Sequence, residues 1–402
     1  MKECIPLPQI EHCTGCQACR VACPTNAITM QENEKGNIYP VVDEQLCISC
    51  NKCARICPEL SPVKLHNKQD NVLAIWVNNP KKRKYSTSGG VSFIMAKTII
   101  ERGGYFCGAV YNDGGAEHLI CNSIDELYRF QGSKYVHSNV KDVYKEVEIL
   151  LKDGKEILFT GTPCQVAALR SFLRKEYDKL YCVDIVCHGV PNRKVLGSRI
   201  KYIEQIHGKK IVNIRFRDKQ PNQHNTCMKY TFNDGTSYNC SEFEDAYIRS
   251  FESGYILRDN CFNCTYKKSE RCSDITIADF WGYAPQKLKF HSYRKGTSLM
   301  IVNSEKGKKL FNEIKKFCTI DDSRDFDYAV KGNRNLKAPQ LQPDNYDQFW
   351  QRYLNGETLE ELQPVFYPPI QKKKKSQIAR IKLFIALLLP DFIVKLLIKK
   401  QL

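Results

Sequence analysis

The sequence lacks the features that would place it outside a cell or across a membrane. Its first residues, Met1-Lys2-Glu3-Cys4-Ile5-Pro6, contain no apolar signal region. The apolar stretch Ile378–Ile398 is broken by Arg380, Lys382, Pro390, Asp391 and Lys395, which leaves only Leu383–Leu389 uninterrupted. A membrane-spanning helix needs about 20 apolar residues in a row. Acidic side chains are also in deficit: 44 Asp and Glu stand against 61 Lys and Arg, a formal net charge of +17. Such a surplus would suggest nucleic acid, but nine Lys or Arg and a single Asp fall within residues 371–402. The remaining excess is spread thinly and forms no arginine–aromatic stripe, so nucleic acid is not expected as a partner.

What the chain does have is cysteine, 20 in 402 residues, a length that allows two or three domains with a core. Their clustered spacing argues for reduced, ligating thiols in a reducing cytoplasm rather than for a disulfide scaffold. Cys13-Thr14-Gly15-Cys16-Gln17-Ala18-Cys19 closes at Cys23-Pro24, and Cys47-Ile48-Ser49-Cys50-Asn51-Lys52-Cys53 closes at Cys57-Pro58. Both read C-x2-C-x2-C-x3-C-P, the bacterial two-cluster ferredoxin spacing, in which the fourth cysteine of each run ligates the other cluster. Cys13, Cys16, Cys19 and Cys57 are thus expected to hold one 4Fe-4S cluster, and Cys47, Cys50, Cys53 and Cys23 the second. Zinc commonly takes two such pairs per ion, and eight cysteines with trailing prolines favour iron.

Residues 1–62 form the ferredoxin module, with Ile38–Val42 as a strand between its halves and Lys64–Asn71 as a polar linker. Beyond it, strand-like runs (Val72–Val77, Tyr105–Tyr111, Ile157–Thr160, Leu180–Val186, Ile211–Arg217, Met228–Phe232) alternate with helical stretches. The helices are expected at 89–101, 140–152, 165–175 and 194–205. The fold class is therefore α+β or α/β: a small two-cluster ferredoxin-like domain, then a mixed-sheet α/β domain, then a basic amphipathic helical tail. The expected divisions are 1–62, 63–155, 156–335 and 336–402. The tail, with four lysines at Lys372–Lys375, fits either lying on an anionic membrane surface through residues 372–402 or packing on protein.

Two strand–loop–helix junctions have the chemistry of a dinucleotide phosphate site: Ser86-Thr87-Ser88-Gly89-Gly90 and Gly161-Thr162-Pro163-Cys164-Gln165. Ser88 could equally be an N-cap. A third constellation is Cys261-Phe262-Asn263-Cys264 with Cys272, three metal-spaced cysteines without a fourth nearby. Cys187, at the end of a buried strand, is the first choice to complete it and Cys164 the second. A single Cys4 site would serve zinc as well as iron. His137 and His188 lie near these loops, and both read as structural.

These segments, together with Gly132-Ser133-Lys134-Tyr135-Val136-His137-Ser138, Cys187-His188-Gly189-Val190-Pro191 and Cys261 through Gly282, resemble the coenzyme F420 hydrogenase/dehydrogenase beta-subunit family. The resemblance spans about residues 1–320. It implies an iron–sulfur flavoprotein with FAD along Ser86, Ser88, Gly89, Gly90, Ser133, Lys134, Tyr135, Ser138, Gly161, Thr162 and Pro163, and a further 4Fe-4S cluster beside it. Cys-His-Gly-Val-Pro at Cys187 is similar to bacterial members rather than to deazaflavin-using archaeal ones, so the family name is not taken as the activity. The implied role is an oxidoreductase joining a low-potential ferredoxin-type carrier, clusters and FAD to a small-molecule acceptor of unknown identity. The alternatives are a relay subunit that binds the same cofactors but has no substrate of its own, and a membrane-associated accessory of surface polysaccharide synthesis, which only the tail favours.

Overall fold

The computed structural model describes residues 7–112, 114–219, 226–284 and 295–368. The cysteine-rich repeat folds around an antiparallel hairpin of β1 (Ile28–Glu32) and β2 (Ile38–Val42). Each copy of the repeat contributes a short helix, Ala18–Ala22 and Lys52–Arg55. Each is entered through a left-handed residue, Gln17 at φ 66° and Asn51 at φ 60°. That sharp entry makes the third cysteine of each run, Cys19 or Cys53, the second residue of its helix, turned back toward the loop that carries the first two.

The main domain begins with β3 (Asn71–Val77), β4 (Tyr105–Asn112), β5 (Gly115–Cys121), β6 (Ser138–Asn139), β7 (Ile157–Gly161) and β8 (Leu180–Ile185). Three strands, β9 (Ile211–Lys219), β10 (Thr226–Phe232) and β11 (Ser237–Ser241), form a separate antiparallel sheet. Then β12 (Ile275–Asp279), β13 (Ser298–Val302) and β14 (Cys318–Asp325) return to the first sheet. The result is a nine-stranded mixed sheet in the order β14-β3-β13-β12-β8-β7-β4-β5-β6. In it β4, β7, β8 and β12 run parallel, and β13 runs against both β12 and β3. The parallel strands and β3 therefore end on one edge of the sheet, the place where α/β sheets bind ligands. Ile157, Leu158 and Phe159 of β7 and Leu180–Val183 of β8 are buried, the near-continuous apolar pattern of strands covered on both faces.

Helix Pro163–Leu173 starts where β7 ends, because Thr162 and Gln165 form a reciprocal capping box and Pro163 takes the first turn. Asn192 accepts from the Val195 amide at 3.0 Å to begin helix Arg193–His207.

The structure adds to the expected layout in three places. The division at 155/156 falls inside one sheet, since β4 and β7 pair in parallel through Tyr105–Ile157 and Phe106–Leu158. The first part of the expected tail is folded into the domain. Helix Tyr346–Leu354 repeats aromatics at helical spacing and buries Tyr346, Phe349 and Trp350, and helix Leu359–Phe366 packs beside it. The polar linker is pinned by an isolated bridge, His66 N–H to Arg271 O at 2.7 Å. Residues 372–402, with the basic run, lie outside the described residues. Among the described residues no helix is long and apolar enough to cross a membrane.

The ferredoxin module shares a core with the main domain. Cys16, Ala18, Ala22 and Ile56 pack with Tyr144, Val147, Phe159 and Val166. Polar stitches reinforce the contact: Gln17 Nε2 donates to Asn139 Oδ1 at 3.0 Å, Arg20 Nη2 to Lys141 O at 2.6 Å, and Lys35 Nζ to Asp259 Oδ1 at 2.8 Å.

Candidate redox site

The eight N-terminal cysteines line two cavities, four to each. Cys13, Cys16, Cys19 and Cys57 surround one, and Cys23, Cys47, Cys50 and Cys53 the other. In the first cavity all four cysteines are buried; in the second Cys50 is exposed and the others are half-buried. Among the described residues no three His, Cys, Asp or Glu side chains converge as they would on one ion. The sulfurs surround space instead, as ligands of a four-iron cube must.

Electrostatics separates the two cavities further. Burial pushes the Cys16 thiol up to about 12 and raises Cys13, Cys19 and Cys57, so thiolates accumulate there only against a cationic metal core. Burial also raises Cys23, but the Thr25, Ala27 and Ile28 amides and the Thr25 hydroxyl outweigh it and leave that thiol below its ordinary value. Over the inner cavity lies Arg258, 1% exposed, with Nη2 donating to Cys13 O at 3.2 Å and Ile38 O at 3.1 Å. Gly15, at φ +64°, lets this guanidinium in: a Cβ there would lie 2.9 Å from Arg258 Nη2.

A third group of cysteines assembles beneath. Burial raises the Cys164 thiol well above its ordinary value, and Cys264, Cys187 and Cys261 raise it further. Cys187 is raised by burial and by Cys261, and Cys264 reaches about 12 through burial, with Cys261 and Cys187 adding to it. Each of these three thiols thus has others of the group Cys164, Cys187, Cys261 and Cys264 among its leading electrostatic neighbours. Cys272 stands apart from them: its thiol donates to Pro163 O at 3.4 Å, and after burial its chief electrostatic neighbours are Asp184, Arg170 and Cys182. Of the set expected as Cys187, Cys261, Cys264 and Cys272, the first three are thus electrostatic neighbours of one another and of Cys164, the second choice for the remaining place. His188 is held by Phe251 O at 3.1 Å and Asn335 Nδ2 at 3.3 Å, a structural placement.

The loop 261–272 reaches the ferredoxin module directly. Tyr266 Oη donates to Pro58 O at 2.6 Å, and Thr265 Oγ1 to Glu59 Oε2 at 2.8 Å. The segment next to Cys57 and the segment carrying Cys264 are therefore one packed unit.

The loops expected to line a flavin meet at the carboxyl edge of the sheet. Thr87 Oγ1 accepts from the Ser133 amide at 2.7 Å, which joins the Ser86–Gly90 and Ser133–Ser138 segments. Ser88 Oγ donates to Thr297 O at 2.8 Å, and the Gly89 amide donates to Ser298 Oγ at 3.0 Å. A Cβ on Gly89 would run into Ile75 O, and Gly90, at φ +86°, starts helix Val91–Glu101. Ser138 and Thr160, next to Gly161, are bridged by His118, with Nδ1 2.7 Å from Ser138 Oγ and Nε2 3.1 Å from Thr160 O. A carbonyl can only accept, so Nε2 carries the proton and neutral Nδ1 accepts from the serine. Burial depresses His118 to about 4, which keeps it in that neutral form.

Lys134 Nζ donates to the carbonyls of Arg129, Phe130 and Gln131 at 3.3, 2.9 and 3.3 Å. It ties its own loop together rather than facing outward. The Tyr135 ring stacks on Phe251 at 4.7 Å, and its hydroxyl lies 3.5 Å from Arg217 Nη1.

Cations that sequence reasoning missed crowd around these loops. Lys219 Nζ donates to Ser88 O at 2.8 Å and Arg83 O at 3.1 Å, and Arg215 Nη2 donates to Tyr85 O at 3.2 Å. Burial, then Arg83, depress Lys219 to about 7, with Arg217 and Arg215 adding to the effect; Asp279, which pairs with Arg217, works against it. Arg215, Arg217 and Lys219 alternate along β9, opposite the buried Ile214 and Phe216, and that period-two pattern is the signal available in the sequence.

Comparison with known proteins gives two matches along the chain. Residues 12–60 match the 4Fe-4S dicluster domain, and residues 154–322 match the family described as the C terminus of the coenzyme F420 hydrogenase/dehydrogenase beta subunit. Among solved structures the chain is similar to a chain of the F420-reducing [NiFe] hydrogenase complex from Methanosarcina barkeri. The identity is 14%, the TM-score 0.48, and the match covers 72% of this chain and 94% of that one. No protein of curated function matches. The chain thus carries a segment that matches a 4Fe-4S dicluster domain and, after it, one that matches the C terminus of the coenzyme F420 hydrogenase/dehydrogenase beta subunit.

Proposed function

We propose that this protein is an iron–sulfur flavoprotein oxidoreductase, exchanging electrons between a ferredoxin-type carrier and a small-molecule acceptor. The observation that supports this reading is the pair of four-cysteine cavities, one solvent-facing and one buried, with Cys164 beside Gly161-Thr162-Pro163 having Cys264, Cys187 and Cys261 as electrostatic neighbours. In this reading Cys23, Cys47, Cys50 and Cys53 hold an outer 4Fe-4S cluster, and Cys13, Cys16, Cys19 and Cys57 an inner one. Cys164, Cys187, Cys261 and Cys264 hold a third. FAD lies against Ser86, Ser88, Gly89, Gly90, Ser133, Tyr135, Ser138, Gly161, Thr162 and Pro163. The clusters supply one-electron carriage, and the flavin converts it to two-electron hydride chemistry.

The chain's own residues set the conditions. Cys50 leaves one group open to a redox partner, while burial of Cys13, Cys16 and Cys19 keeps water from the next. Arg83, Arg215, Arg217 and Lys219 offer more positive charge than Asp218 and Asp279 neutralise, which suits an anionic diphosphate. Thr87, Lys134, Lys219 and His118 fix the loops against one another, so the site is formed before anything enters it.

Anaerobic purification with iron, sulfide and flavin analysis tests the reading. About twelve irons and one FAD per chain are expected for three cubanes. About eight irons with one zinc would turn the third group, around Cys261 and Cys264, into a structural site, and absence of flavin would overturn the oxidoreductase mechanism. The matched family comprises beta subunits, which supports a second reading, a relay that hands electrons to a partner protein. Reduction of small acceptors by the isolated chain with a dye donor would exclude it.

A further inference from the structure

One arginine of the α/β domain stands inside the loop of the first cysteine run with no acid to pair with. Arg258 is 1% exposed and forms no ion pair among the described residues; the next carboxylate, Asp259, is taken by Lys35 at 2.8 Å. Its hydrogen bonds go to uncharged groups. Nη2 donates to Cys13 O at 3.2 Å and Ile38 O at 3.1 Å, and Nε donates to Asn260 Oδ1 at 3.3 Å. The Tyr39 ring lies 4.8 Å from Cζ, and Nη1 is buried with no partner among the described residues. The guanidinium fills the place of a side chain at Gly15, where a Cβ would lie 2.9, 3.0 and 3.1 Å from Nη2, Cζ and Nη1. Gly15 separates Cys13 from Cys16, so the charge stands within the loop that supplies two of the four sulfurs of the buried cavity.

A buried charge is costly unless an opposite charge answers it, and neutral acceptors answer it only in part. The cavity beside it supplies that opposite charge. Four thiolates outweigh the positive iron–sulfur core, so a cluster held there is an anion, and reduction adds one more negative charge. A cation this close, in a place shielded from water, favours the reduced state.

The outer copy is built differently. Gly15 corresponds to Ser49, which brings its own side chain into the loop between Cys47 and Cys50. An arginine reaches that loop too, Arg55 with Nη2 3.1 Å from Cys50 O, but it is exposed, and water and salt screen its charge.

We propose that Arg258 is the counter-charge of the cluster held by Cys13, Cys16, Cys19 and Cys57, and that it holds the potential of that cluster above that of the outer one. An electron arriving at the Cys50 cluster then passes inward. No bond is made or broken: the guanidinium keeps its proton while the inner cluster gains one electron and the outer cluster loses it. The inference rests on the two N-terminal clusters of the reading above, and on neither FAD nor the third cysteine group. Glu59 lines the same cavity and its carboxylate acts in the opposite sense, so it is left in place in every variant.

The test is an EPR-monitored redox titration of the anaerobically reconstituted full chain as Arg258→Gln, which removes the charge, and as Arg258→Lys, which keeps it. The inner signal is the one lost in Cys57→Ser, the outer signal the one lost in Cys50→Ser. A unit charge about 12 Å away, at an effective dielectric constant of about 20, changes an equilibrium about tenfold. Arg258→Gln is therefore expected to lower the reduction equilibrium of the inner cluster about tenfold, which is about 59 mV downward for one electron. Arg258→Lys should shift it less than half as far, and the outer cluster should not move in either. An unshifted inner cluster, an equal shift of both clusters, or an equal shift in Arg258→Lys would overturn the proposal. Should Arg258→Gln take up no inner cluster, the iron count decides. About four irons lost from Arg258→Gln and kept by Arg258→Lys would support the counter-charge; loss from both would make the residue structural and overturn it. An unsubstituted chain that binds no iron would instead sink the cluster reading itself.

Discussion

Cys16 and Cys50 hold equivalent places in the two copies of the repeat, yet one lies in a core shared with the α/β domain and the other faces solvent. The difference comes from what accompanies each loop. Ala18 opens the first short helix and is fully buried against helices Val143–Lys152 and Pro163–Leu173; Lys52 opens the second and is exposed. A methyl group permits close helix packing and an ammonium forbids it. The repeat thus specifies ligand geometry twice, and one position in each copy decides whether water reaches it. Around the open copy, Leu46 and Ile48 are 51% and 53% exposed, an apolar rim beside Cys50.

The largest effect expected from breaking this contrast is at the ligands. Cys57→Ser and Cys50→Ser should each lose about four irons by chemical analysis. Only Cys57→Ser should also destabilise the α/β domain, by several kcal/mol in denaturant titration, because its cavity borders the shared core. Equal destabilisation would mean that the two copies are energetically alike. In the same assay Cys164→Ser should lose about one cluster while Cys272→Ser keeps its iron; the opposite result would restore Cys272 as a ligand.

Arg258→Met should cost about 3 kcal/mol, since the Cys13 and Ile38 carbonyls lose a charged donor in a buried place. A change below about 0.5 kcal/mol would show that water reaches the inner cavity after all.

The buried side should also resist protonation. His118 is depressed by burial to about 4, below its ordinary 6.5. Between those values the unfolded chain takes up a proton that the folded one refuses, so stability falls as the pH drops from 6.5 to 4, by about 3 kcal/mol in all. His118→Gln should lower stability at neutral pH and flatten that slope, which unfolding titrations at several pH values would reveal.

The smallest effect belongs to the rim. Ile48→Asp should leave stability within about 0.5 kcal/mol and slow reduction by a ferredoxin-type donor, read by stopped-flow. An unchanged rate would place the docking surface elsewhere.

Much of this is legible in the chain because it is local. The C-x2-C-x2-C spacing, the capping box at Thr162 and the apolar runs of β7 and β8 all depend on neighbours a few residues away. What stays hidden is non-local. Nothing near Cys272 in the chain announces that its electrostatic neighbours are Asp184, Arg170 and Cys182, while those of Cys164, from a turn about a hundred residues earlier, are Cys264, Cys187 and Cys261. Helix Tyr346–Leu354 reads as tail because the basic run beyond it colours the whole segment, although its aromatics already repeat at i, i+3, i+4 and i+7.

The nine-stranded sheet has a practical corollary for anyone who would work with a shorter version. The stretch recognisable as kin, residues 154–322, contains β7, β8, β12, β13 and most of β14 but not β3 or β4, which lie against β13, β14 and β7. Expressed by itself it would present raw hydrogen-bonding edges and lose the middle of its own ladder, an invitation to aggregate. Likeness here marks out a passage of text, whereas the sheet that passage builds reaches back to β3, which begins at Asn71.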